Sequence, residues 1–158
     1  LPFGKVQTLF CNETGYQTPK VDTRAAVFDT EGRLLLVREN NGTWALPGGW
    51  CDVDQSPADN TVKETLEEAG LRVRAERLIA VQDRNRHNPP PYPYGVVKLF
   101  FLCTPLGGEF AANSETTERA YFSQEALPAP LAEEKVTREQ LLLCFAAHAD
   151  PDWVTQFD

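Results

Sequence analysis

Methionine is absent from the 158 residues, histidine occurs only twice, and the four cysteines form no closely spaced pair. Cys11, Cys51, Cys103 and Cys144 are far apart in sequence, so neither a zinc ligand set nor a disulfide scaffold is indicated. They read as reduced thiols, and with no signal peptide at the start the expected location is cytoplasmic. No stretch approaches the ~20 apolar residues of a spanning helix, which excludes a transmembrane reading and a membrane partner. Low-complexity tracts, heptads and long internal repeats are missing as well. Positive charge is scarce: 15 Lys and Arg stand against 23 Asp and Glu, a formal charge of −8. That field repels a phosphate backbone, so no duplex nucleic-acid partner is expected. A chain of this charge that handles phosphates needs its own acids neutralised first, and a divalent cation does so most simply.

What is present is one domain's worth of core, with 42% of the residues hydrophobic. Residues 1–18, which begin without Met, read as a tail or the remnant of a longer segment. Residues 19–150 read as the domain and 151–158 as a C-terminal tail. Ala25–Phe28 and Leu34–Val37, joined by the turn Asp29-Thr30-Glu31-Gly32, predict a hairpin. Thr43–Leu46 reads as a short strand that stops at a Pro47-Gly48-Gly49 turn. Leu71–Val81, Val96–Cys103 and Ala120–Phe122 read as further strands, with Asp83–Gly95 a proline-rich loop between the first two. Thr137 and Gln140 form a capping box ahead of an apolar helix, Leu141–Ala147. Phe28, Phe100, Phe101 and Phe122 are assigned to the core. The expected class is α/β (α+β), a mixed sheet sandwiched between helices.

The clearest helix is Pro57–Ala69, with Ser56 as N-cap, Asp59 where a capping box wants an acid, and Gly70 closing it. At ~100° per residue, Ala58, Val62, Leu66 and Ala69 share a sector of roughly 80°, predicted to be buried. Glu64, Glu67 and Glu68 fall opposite, within about 100° of one another. Like charges at i and i+4 cost a few tenths of a kcal/mol on an ordinary surface helix. Three carboxylates in so small a volume instead suit a hard cation, magnesium or manganese. The glycines before the helix let bare backbone approach a ligand, and a carbonyl there adds a further oxygen donor.

The run Gly49-x5-Gln55-x7-Lys63-Glu64-Thr65-x-Glu67-Glu68-x-Gly70-Leu71 resembles the Nudix box, G-x5-E-x7-R-E-U-x-E-E-x-G-U with U aliphatic. Gln55, Lys63 and Thr65 depart from it. Gln55 cannot ionise, and Lys63 keeps the charge while losing the planar fork of Arg. The flanks Tyr16–Asp22, Leu46–Trp50 and Asp83–His87 are similar to one branch, the CDP-choline and ADP-ribose pyrophosphatase-like proteins with an N-terminal extension. The resemblance implies the Nudix fold and hydrolysis of a nucleoside diphosphate derivative by water attack at phosphorus. It also implies Mg2+ or Mn2+ held by Glu64, Glu67, Glu68 and the Gly48 carbonyl. Glu115, preferred to Glu118, is the implied extra acid, as base or ligand. Removal of pyrophosphate from RNA 5′ ends or triphosphates is the alternative activity. A non-catalytic nucleotide sensor is the other reading, motivated by Gln55 and Lys63.

Two expectations remain. In the Asp83–Tyr94 loop, Arg84, Arg86 and His87 are candidates to meet phosphates, and Tyr92 or Tyr94 to stack on the substrate. Residues 1–14 hold Leu1, Phe3, Val6, Leu9 and Phe10, too apolar for a free tail. They are expected to pack on the domain or across a homodimer interface, making a second copy of the chain a candidate partner.

Overall fold

A computed structural model describes residues 15–158. The expectation that residues 1–14 pack therefore lies outside the described residues. The elements are β1 (Lys20–Val27), β2 (Leu34–Glu39), β3 (Trp44–Ala45), β4 (Gly48–Trp50), α1 (Pro57–Ala69) and β5 (Arg72–Asp83). There follow the single turn α2 (Arg84–His87), β6 (Val96–Gly107), β7 (Thr116–Phe122), α3 (Arg138–Ala149) and β8 (Gln156–Phe157). The strands form two sheets, β4-β1-β6-β5-β8 and β3-β2-β7. Two apolar cores follow, one on each side. Ala26, Phe28, Leu34, Leu36 and Phe100 pack with Leu141 and Phe145 of α3, whereas Ala25, Val27, Leu35 and Val37 pack with Ala69 of α1. The sheets thus lie between helices, as the expected class requires.

The predicted β1–β2 hairpin does not form. One edge of β1 is taken by β4 and the other by β6, parallel over eight residue pairs from Lys20↔Val96 to Val27↔Cys103. β2 keeps only the Phe28↔Leu34 bridge to that sheet and pairs antiparallel with β7. Its run of Leu and Val is buried on both faces, the signature of a strand between two layers. Pro47-Gly48-Gly49 is likewise no plain turn, because Gly48 and Gly49 belong to β4 and pair with Arg24 and Thr23. Within the expected loop, Arg84–His87 coils into a helical turn capped by Asp83. The expected C-terminal tail is structured as well. β8 adds to β5 in parallel, Trp153 Nε1 donates to the Ile79 carbonyl, and Thr155 Oγ1 donates to that of Leu78.

The inward face of α1 is rotated from the one the wheel predicts: Ala69 is buried and Val62 packs against the core as expected, but Leu66 is not. Leu66 is 49% exposed, and the buried residues are Asn60, Thr61, Thr65 and Ala69. Polar side chains can face inward here because each is satisfied. Asn60 Nδ2 donates to Thr23 Oγ1, while Thr61 and Thr65 return their hydroxyls to carbonyls one turn back. Glu64 and Glu68, one turn and two turns beyond Asn60, consequently lie on the inward arc and not on a solvated face.

The capping box of α3 forms as expected, with the helix starting at Arg138, three residues earlier than read. Its Gln140 does more than cap. The buried amide donates to Gln82 Oε1 and Asn88 Oδ1 and accepts from Asn88 Nδ2 and the Thr137 N–H. This network ties the loop after α2 to the helix start. Gln140→Leu strands those buried partners and is expected to cost about 2–4 kcal/mol. Urea unfolding measures it, and an unchanged midpoint would show that the network contributes nothing.

Candidate active site

α1 sets the geometry. Ser56 Oγ accepts from the Asp59 N–H at one end, and Gly70 at φ 65° closes the other with its N–H on the Leu66 carbonyl. The last-turn carbonyls are taken by the segment entering β7. Asn113 Nδ2 donates to Glu67 O, Thr116 Oγ1 to Glu68 O, and Arg119 Nη1 to Ala69 O. These bonds bring Glu115 to the same cleft as Glu64 and Glu68.

The cleft has a volume of about 910 Å³. Glu68 Oε2 accepts from the Gly48 N–H at 2.8 Å. Gly48 opposes Arg24 in the β1–β4 register, and its N–H faces the helix rather than β1. Burial pushes Glu68 up to about 7, with Glu64 and Glu115 adding to the rise and the Gly48 N–H and Arg24 opposing it. Glu64 is raised too, first by burial and then by Glu67. Lys63 is bonded to Asp52 and lies 4.0 Å from Glu64. Glu67 is exposed and does not line the cleft. Among the described residues, no three Asp, Glu, His or Cys side chains converge tightly enough to hold an ion as they stand. The donor set nevertheless fits a hard divalent cation: it is all oxygen, and its carboxylates oppose one another's ionisation.

Opposite these acids lies a floor that sequence reasoning missed. Arg24 donates to both oxygens of Asp22, at 3.0 and 2.9 Å, and to the Leu46 carbonyl, while Lys98 Nζ reaches Asp22 Oδ2 at 2.6 Å. The available signal was charge at the edge of the apolar run Ala25–Phe28 and inside the strand Val96–Cys103.

The structure divides the loop candidates. Arg84 and Tyr92 line the cleft. The Arg84 guanidinium is spent on carbonyls, donating to Asn88, Pro89, Pro90 and Glu134. Arg86 turns to Asp83 and His87 pairs with Asp158 at 2.9 Å, so neither of these predicted phosphate contacts lines the cleft. Tyr94 faces a second cavity, of about 660 Å³, shared with Trp50 and Tyr92. The rings of Trp50 and Tyr92 stand 6.2 Å apart at 30°. Gln55 also lines this second cavity and not the first. Gln55→Glu is therefore expected to change turnover by less than about tenfold, roughly 1.4 kcal/mol of barrier. A gain of several hundredfold in a steady-state assay would contradict that placement.

Among the described residues, no cysteine pairs with another or lines the cleft. Cys51, Cys103 and Cys144 are free, and burial pushes the thiols of Cys103 and Cys144 up to about 12. No helix among the described residues is long and apolar enough to cross a membrane.

Comparison with known proteins identifies the family. The family model described as NUDIX domain matches residues 18–143. A crystal structure of an ADP-ribose pyrophosphatase from Streptococcus suis is 55% identical, with a TM-score of 0.82, covering 89% of this chain and 100% of that one. The crystal structure of a UDP-X diphosphatase is 33% identical, with a TM-score of 0.80, covering 100% of this chain and 76% of that one. A Bacillus subtilis protein, YjhB, whose name carries a provisional ADP-ribose pyrophosphatase assignment, is 42% identical over 154 residues, 97% of this chain and 73% of its own length.

Proposed function

The chain belongs to the Nudix family and is a Nudix-type pyrophosphohydrolase, and on that premise we propose that it cleaves ADP-ribose or a closely related nucleoside diphosphate derivative with magnesium. The observation that carries this reading is the half-buried Glu68, held by the Gly48 N–H in one cleft with Glu64 and Glu115. Glu64, Glu68 and the Gly48 carbonyl would hold the cation, with Mn2+ able to substitute. A cation held there would supply Lewis-acid polarisation of the diphosphate and would make the attacking water more acidic.

The remaining steps belong to the chain's own residues. The Gly48 N–H keeps one Glu68 oxygen in place and leaves the other for the cation. Glu67, exposed beside Glu64, adds negative charge to this face of the helix. Glu115, on the facing segment, accepts the proton of the attacking water. Trp50 and Tyr92 orient the ring of the nucleoside. A reducing compartment, the cytoplasm, suits the free thiols.

A panel assay tests the reading. Purified protein with magnesium is offered ADP-ribose, CDP-choline, a UDP-sugar and nucleoside triphosphates, with products identified. AMP and ribose 5-phosphate from ADP-ribose are the expected result. Pyrophosphate release from triphosphates with no diphosphate derivative cleaved would overturn it.

A further inference from the structure

Lys98 stands in the middle of the sheet and is only 2% exposed, yet it lines the floor of the cleft. It is the register partner of Asp22 on β1, and Asp22 is in turn opposite Trp50 on β4. Register partners point to the same face of a sheet in the antiparallel β1–β4 ladder and in the parallel β1–β6 ladder alike, so Trp50, Asp22 and Lys98 form one row across three strands. Tyr92 stands over the Trp50 end of that row.

The hydrogen-bond inventory along the row is one-sided. Asp22 Oδ1 accepts from Arg24 Nη2, and Oδ2 accepts from both Arg24 Nε and Lys98 Nζ, which nearly fills its acceptor capacity. Among the described residues Lys98 uses one of its three donors in a hydrogen bond, to a shared acceptor, and its ammonium otherwise stands 5.9 Å from the centre of the Phe100 ring. Two unspent N–H groups on so buried an ammonium are costly unless something with lone pairs completes them. One carboxylate bonds both Lys98 and Arg24, Arg84 adds to the positive field at Lys98, and Glu68 and Glu39 act on Arg24 from further off. Burial and Arg24 together push the Lys98 ammonium down to about 8. The floor therefore offers donors and positive charge with almost no acceptor to spare.

We infer that Lys98 is a specificity-determining residue of this site, donating to a substrate oxygen that only accepts: a carbonyl on the ring held by Trp50 and Tyr92, or an oxygen of the diphosphate. The inference rests on the proposed nucleoside diphosphate substrate. Adenine presents ring nitrogens as acceptors beside its amino group, so an adenine nucleotide meets this donor through a ring nitrogen or through its diphosphate. Uracil, with two carbonyls, finds a donor.

The test compares Lys98→Met and Lys98→Gln with the unaltered protein. Calorimetry in metal-free buffer supplies Kd for ADP-ribose and for a UDP-sugar, steady-state assays with magnesium supply kcat and KM, and melting temperature reports folding. Lys98→Met is expected to raise Kd and KM by about tenfold or more while kcat changes less than about threefold. Lys98→Gln, which keeps a donor, recovers part of the loss and serves alone if the Met variant does not fold. A rise confined to the UDP-sugar assigns the contact to the ring carbonyl, and an equal rise for both assigns it to the diphosphate. Unchanged Kd for both ligands in a folded variant overturns the inference. Unaltered protein that binds these compounds but cleaves neither removes the pyrophosphohydrolase reading, and the Kd comparison still decides Lys98. Unaltered protein that neither binds these compounds nor cleaves them with magnesium overturns both, and where binding needs the metal the KM comparison decides Lys98.

Discussion

Glu68→Gln is expected to lower turnover by about a thousandfold or more, equivalent to roughly 4 kcal/mol of barrier. The substitution keeps size and shape, and an amide oxygen still accepts from the Gly48 N–H that Glu68 Oε2 accepts from at 2.8 Å. What it removes is a charged oxygen on the inward arc of α1, beside Glu64 and Glu115. Folding is expected to survive, because the carboxylate is buried at some electrostatic cost, as its rise to about 7 indicates. Glu67→Gln, altering an exposed side chain outside the cleft, is expected to cost less. Turnover at saturating magnesium measures both, and near-normal activity of folded Glu68→Gln would remove the assignment of this residue to the cation.

Gly48→Ala is expected to disable the site by another route. A Cβ at Gly48 would stand 1.8 Å from the Thr23 carbonyl oxygen and 2.9 Å from its carbon, both backbone atoms of β1. Neither can swing aside, so β4 must lift from β1, carrying its N–H away from Glu68. Activity should fall by more than about a hundredfold and stability by about 3 kcal/mol. Gly49→Ala is the control. There the nearest atoms belong to the Glu64 side chain at 3.7 Å and beyond, an ordinary contact. Urea unfolding and turnover of the pair distinguish a local backbone requirement from general intolerance. Equal, mild effects of both would contradict the geometry drawn around Gly48.

The helix α1, its caps and its glutamates were legible because each depends on local chemistry: Ser56 and Gly70 mark ends, and the glutamate spacing marks a face. Which face turned inward was legible only in part. An apolar count favoured Leu66, whereas burial went to Asn60, Thr61 and Thr65, whose partners lie on β1, on β4 and one turn back in the helix. The β1–β2 hairpin failed for a related reason. A short turn signals two strands in succession, but the edge each strand uses is decided by distant β6 and β7. The same non-local pairing aligned Lys98 with Asp22, 76 residues apart, and hid the floor of the cleft from a reading along the chain. Arg86 and His87 were misplaced because composition shows that a loop is basic but not where each side chain turns. Asp83 and Asp158 took them away from the cleft.

The central claim is attack by water on the diphosphate of a nucleoside derivative at the Glu64–Glu68–Glu115 cleft, and hydrolysis of ADP-ribose in heavy-oxygen water tests it most directly. Mass analysis of the products with magnesium present is expected to find AMP and ribose 5-phosphate, one of them carrying a single heavy oxygen. Chelation of the divalent cation should abolish the products. Intact ADP-ribose with magnesium supplied, or cleavage products free of label, would contradict the account.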